Sequence, residues 1–147
     1  MSMDYRKIVL AGVAGTAAMT MVGVWGAPMM GLAPMNPANM LAGAMGGSLA
    51  AGWALHLMIG IVLALGYAMV AARLAGPAVL RGAVFAVAPW LMAQVVVMPM
   101  MGMPLFSGSV MAAMGSLIGH LVYGAVIGAI VGRGGPAPAA RAVRRAA

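Results

Sequence analysis

The chain has no cysteine, and of its 147 residues only one is acidic and only 6% are charged. The absence of cysteine excludes a disulfide scaffold. A lone acid, Asp4, near the N-terminus excludes paired-carboxylate acid–base chemistry, a nucleophile triad and the intramembrane Asp or Glu relays of proton-coupled transport. So little charge cannot dress a water-facing surface, which excludes a soluble globular domain, and a chain this apolar cannot stay solvated as a disordered one. No P-loop or dinucleotide glycine pattern occurs with the strand and helix such sites require. An enzyme acting on its own is not expected. What is present is an integral membrane composition: 65% hydrophobic residues, 22 Gly and 18 Met.

A bilayer core about 30 Å thick takes about 20 apolar residues in a helix. Four runs qualify, at 8–27, 48–72, 82–98 and 109–132. The third is the shortest and can be lengthened from Pro77 to Arg81, with proline in the first turn and Arg81 snorkelling to the headgroups. Basic residues fall into three groups: Arg6 and Lys7; Arg73 and Arg81; and Arg133, Arg141, Arg144 and Arg145. Four spans put all three groups on one side, while the connections on the other side, 28–47 and 99–108, carry no charge. The positive-inside rule then makes both termini cytoplasmic. The expected architecture is an all-α integral membrane four-helix bundle. A single transmembrane domain covers 1–132, and a basic cytoplasmic tail, 133–147, lies against anionic lipid, with no nucleic-acid partner. The first span is expected to stay uncleaved, because its apolar run exceeds that of a signal peptide. Seven Arg to one Lys, with abundant Ala, Gly and Val, suit a GC-rich bacterial genome and hence a bacterial cytoplasmic (inner) membrane.

The two halves share landmarks. Pro28-Met29-Met30-Gly31 follows the first span and Pro99-Met100-Met101-Gly102 the third. The second span carries Gly52, His56, Gly60, Ala64 and Ala68 at steps of four, and the fourth carries Ser116, His120, Gly124, Gly128 and Gly132. Two spans per repeat leave both repeats in one orientation, so two parallel-oriented helix hairpins are expected about an axis along the membrane normal. The longer outer connection contains Asn36-Pro37, a cap and a first-turn proline. They predict a short helix to about Met45, broken by Gly46-Gly47 and lying at the outer interface or re-entering slightly.

Residues four apart share a helix face, so each histidine projects from a ridge of small residues suited to close helix packing. If the second and fourth helices meet along these ridges, His56 and His120 face one another or a central seam. At 1.5 Å per residue they lie about 26 and 20 Å from the basic boundary, in the outer half of the membrane. An ionisable group inside a bilayer is a functional-site hypothesis. The pair can serve as axial ligands of a haem b, although a tight ridge contact leaves no room for a porphyrin. They can also join Met29, Met30, Met100 and Met101 of the outer turns in a soft imidazole–thioether set for Cu(I). Neither cofactor is required. Neutral histidines can be satisfied by a carbonyl, Thr16, Thr20, Gln94, Ser116 or water, and methionines pack irregular apolar turns well. No cofactor is the simplest expectation. Thr16 and Thr20 are expected to back-bond to their own helix or to bridge helices, and Gln94 needs a partner.

GWALHLMIG (52–60) and GHLVYGAVIGAIVG (119–132), with VVVMPMMG (95–102) as a Met/Pro outer turn between them, resemble a family of small bacterial multi-pass membrane proteins of unknown function. The resemblance covers about residues 6 to 132 and implies the four-helix fold, with no activity, cofactor or site residue to carry over. The leading functional expectation is a non-enzymatic accessory or assembly subunit, packing against itself or a larger membrane complex through Gly52, Gly60, Ala64, Ser116, Gly124, Gly128 and Gly132. Haem or copper handling by His56 and His120 is the alternative, and a small permease or channel the third reading.

Overall fold

The computed structural model describes residues 3–132, so the basic tail at 133–147 lies outside the described residues. Its helices in chain order are α1 (Tyr5–Met29), α2 (Pro37–Ala44), α3 (Leu49–Arg73), α4 (Ala78–Met100) and α5 (Val110–Val131). All but α2 are long and apolar enough to cross a membrane, and no strand occurs among the described residues. The chain is an all-helical, multi-pass membrane protein. One end of the bundle carries Arg6, Lys7, Arg73 and Arg81 and is called the basic end. The connections at the other end carry no charge.

The helix starts follow local chemistry. Asp4, Asn36, Ser48 and Ser109 each accept a first-turn backbone N–H, from Lys7, Ala38, Ala51 and Ala112, at 3.0–3.3 Å. Each bond satisfies a donor that the helix itself leaves open. Pro37 opens α2 directly after its Asn36 cap. The chain then reverses through Gly46 and Gly47 at φ of 69° and 85°, a left-handed conformation that side chains resist.

Around the bundle the packed order is α3, α1, α5, α4, and α2 lies on the start of α3; the seam between α3 and α4 is the loosest. The small-residue ridges of α3 and α5 do not meet along their length. Each is covered mainly within its own hairpin. On α3, a Cβ at Gly52 would strike Ala38 and Ala42 of α2, and one at Gly60 would strike Thr16 of α1. On α5, a Cβ at Gly124 would strike Gly82 of α4, and one at Gly128 would strike Ala78. The reason is reciprocity: a bare ridge approaches most closely where the facing helix is also bare, and α1 and α4 offer Gly12 and Gly82. Ala64 is fully buried in the core, and Gly132 lies against Tyr67 and Ala78 at the basic end.

The core of Ile8, Ala11, Ala64, Tyr67, Ala71, Ala86, Tyr123 and Ile127 fills the basic half. There α3 and α4 do touch, through the Tyr67 and Phe85 rings, whose centroids are 5.5 Å apart, and the Tyr67 hydroxyl donates to the Ala78 carbonyl at 3.2 Å. Arg81 turns inward where snorkelling to headgroups was expected. It donates to the Ala71 carbonyl at 2.8 Å and the Gly132 carbonyl at 3.2 Å. These are acceptors that the last turns of α3 and α5 cannot satisfy internally, and a guanidinium can serve both at once. The basic end is thereby stitched shut, and the uncharged half of the α3–α4 seam stays apart.

Candidate functional site

Two prolines shape the uncharged half. Pro28 and Pro99 lack an N–H, and each ring crowds the carbonyl four residues earlier. Both helices widen one turn just before the proline, at Val22–Gly26 in α1 and Ala93–Val97 in α4. Such π-turns recur at functional sites. In α1 the Gly23 carbonyl, released by the wide turn, accepts the N–H of Met35 at 2.8 Å, which docks the 32–35 segment over the bundle. A side chain at position 23 would collide with the Met35 carbonyl, so the approach requires glycine. In α4 the second residue of the wide turn is Gln94, fully buried. Its Oε1 accepts from the Ser107 hydroxyl at 3.1 Å, and its Nε2 donates to Ser116 at 3.2 Å. Phe106 and Ser107 sit at φ of 52° and 60°, a left-handed region that non-glycine residues enter at a cost. Gln94 holds one of them and the Trp90 ring, 6.1 Å from that of Phe106, packs on the other.

Beneath these two docked segments, between α3 and α4, is a cavity of about 530 Å³. Its walls are mainly apolar, with Ile59 and Leu63 from α3 and Met92, Ala93 and Val97 from α4 flanking the open seam. Both histidines line it, together with Thr16, Gln94, Ser107, Ser116 and Tyr123, and Asn36 lies where α2 begins. The two halves of the sequence therefore deliver His56 and His120 to one space without a direct ridge contact between α3 and α5.

The polar groups are tied to one another. Thr20 donates to the Thr16 carbonyl at 2.8 Å, the back-bond expected for this pair, and its oxygen lies 3.1 Å from His56 Nε2. His120 Nδ1 lies 2.9 Å from the Ser116 carbonyl, one turn earlier on α5. The Tyr123 hydroxyl donates to the Gly60 carbonyl at 2.6 Å, joining α5 to α3 beside the cavity. Trp53 flanks His56, with ring centroids 6.1 Å apart.

Of the methionines named with the histidines, Met29 and Met100 are 88% and 81% exposed, and neither they nor Met30 and Met101 line the cavity. A different set does: Met19, Met35, Met40, Met92, Met98 and Met103. These six come from three helices and both outer segments, so no spacing in the sequence marks them. Tyr123 and Ser107 were likewise missed. A tyrosine three residues after His120 on a ridge helix was the available signal for the first. Among the described residues no three His, Cys, Asp or Glu side chains come together. A guest in this space would meet imidazole, thioether, hydroxyl and amide groups in an apolar wall.

A family model described as "Family of unknown function (DUF6789)" matches residues 3–142. No curated protein matches the chain, and no solved structure does.

Proposed function

The chain belongs to this family of unknown function, and from that premise we propose that it is a small membrane protein that binds a lipophilic molecule in the cavity between α3 and α4. The observation that carries the reading is the 530 Å³ space itself, apolar in its walls and lined by both intramembrane histidines. Ligand sites have this size and make-up: a mostly apolar surface with a few placed polar groups. The loose seam between α3 and α4 supplies a route from the bilayer, so the ligand need not cross water. The positive-inside rule supports a cytoplasmic basic end, which in a bacterial inner membrane would put the cavity in the outer half.

The packing-subunit reading asked for ridges open to an outside partner. Gly52, Gly60, Gly124 and Gly128 are covered within the chain, which leaves that reading supported by small size alone. A permease would need polar groups along a path to both faces, and the basic half is filled by the core.

The test is to purify the protein in mild detergent, extract it for mass spectrometry, and record its visible spectrum and metal content. Ala112→Phe, which builds a ring into the cavity from α5, should leave the fold intact and abolish retention of the molecule. A Soret band lost in His120→Ala would make that molecule a haem, and stoichiometric copper would make it a metal. No co-purifying molecule, with no binding difference between wild type and Ala112→Phe, would sink the reading.

A further inference from the structure

The hydrogen bonds around the two histidines specify which nitrogen of each neutral ring carries the proton. The Thr20 hydroxyl spends its proton on the Thr16 carbonyl, so toward His56 Nε2 its oxygen can only accept. His56 therefore carries its proton on Nε2 and a lone pair on Nδ1. For His120 the order is reversed: Nδ1 faces the Ser116 carbonyl, which can only accept, so Nδ1 bears the proton and Nε2 the lone pair. Neither lone pair has a hydrogen-bond partner among the described residues.

Three hydroxyls nearby are committed elsewhere, Thr20 to Thr16, Tyr123 to Gly60 and Ser107 to Gln94, while those of Thr16 and Ser116 also line the cavity. Each imidazole thus keeps one acceptor without a hydrogen-bond partner beside the cavity that it lines. An acceptor shut into an apolar space without a donor is costly. A ligand head made of carbonyls or ethers would set lone pair against lone pair.

Resting on the ligand-binding reading above, we infer that the cavity takes an uncharged amphiphile whose head carries two hydroxyl donors, of the dihydric phenol class, one hydroxyl to each imidazole. Its apolar substituent runs along the methionine-lined wall toward the α3–α4 seam. Six thioether side chains suit that role, since methionine adapts its shape to varied apolar guests. A volume of about 530 Å³ accommodates an aromatic diol and part of an alkyl chain.

The experiment titrates the detergent-purified, anaerobic protein with decylhydroquinone, the corresponding quinone and the corresponding dimethyl ether, and reads the rise in unfolding temperature. The three probes share ring and tail and differ in donors. The hydroquinone should bind at least about tenfold more tightly than the other two, because each of those leaves buried acceptors unpaired. His120→Phe keeps a ring in place and loses only a bond within its own helix, so it tests the inference even if His56→Phe folds poorly. In it the preference should fall to about threefold, the share left by His56 alone. Equal binding of all three probes to wild type would overturn the inference and leave the lipophilic site standing. Binding of none, while extraction yields a molecule displaced by Ala112→Phe, would overturn the ligand class alone. Binding of none with nothing extracted would overturn both. Tight Cu(I) uptake lost in each histidine variant, with no preference for the diol, would assign the lone pairs to a metal and also overturn it.

Discussion

In α1 the widened turn before Pro28 carries Gly23, and a bare carbonyl there takes the N–H of Met35. In α4 the widened turn before Pro99 carries Gln94 at the corresponding place, and its amide holds Ser107 and Ser116. The two hairpins thus dock their outer segments on the same helical irregularity by different means. Backbone docking needs close approach and hence glycine, so position 23 itself adds no side chain to the cavity. Side-chain docking keeps the segment farther off, holds it in a left-handed conformation and places a buried amide beside the histidines. A further contrast runs through the helix contacts. In the first hairpin, the nearest atom to a Cβ at Gly60 belongs to the Thr16 side chain, whereas at Gly82 in the second it is the Gly124 backbone carbonyl.

The largest expected effect falls on that last contrast. Gly82→Val should destabilise the protein by about 3 kcal/mol in thermal or denaturant unfolding in detergent, because backbone cannot move aside. Gly60→Val should cost measurably less, since a threonine side chain can turn. Equal costs would erase the distinction between the hairpins.

A smaller loss, about 2 kcal/mol, is expected for Gln94→Leu, which strands the Ser107 and Ser116 hydroxyls in an apolar setting. Hydrogen exchange should quicken at 105–108 and stay unchanged at 32–35. Quickening of both segments would mean that they form one roof and not two independent ones. Gly23→Ala is the mildest change, at roughly 1 kcal/mol for one displaced backbone bond. It should reverse the pattern, loosening 32–35 and sparing 105–108.

The features legible in the sequence were those decided within a few residues. Asn36 followed by Pro37 marked the start of α2, and Gly46-Gly47 marked the reversal after it, because caps and left-handed turns depend on adjacent chemistry. The Thr20 back-bond to Thr16 was legible for the same reason. Arg81 was not: its carbonyl partners lie on α3 and beyond the end of α5, and only the bundle brings them within reach. Nor were the six methionines of the cavity wall, since thioethers carry no periodic requirement and the set is assembled from across the chain. His56 and His120 stood out because polar rings are rare in such spans. The Gly60 tie to Tyr123 and the Thr20 bond to His56 join positions that no local spacing connects, whereas the Ser116 carbonyl lies one turn before His120 on the same helix.

Sequence by itself determined the number of membrane-spanning helices and the segregation of charge. In hydrocarbon each segment must satisfy its own backbone hydrogen bonds, and charge must stay at the ends, so both follow from composition read along one strand of chain. Only the tertiary structure decided which bare ridge meets which, that α3 and α4 part in the uncharged half, and that two histidines from separate hairpins line one space. A Gly ridge fits any facing ridge that is equally bare. The choice among them depends on the simultaneous packing of all the helices, a property of the assembled bundle that no single segment contains.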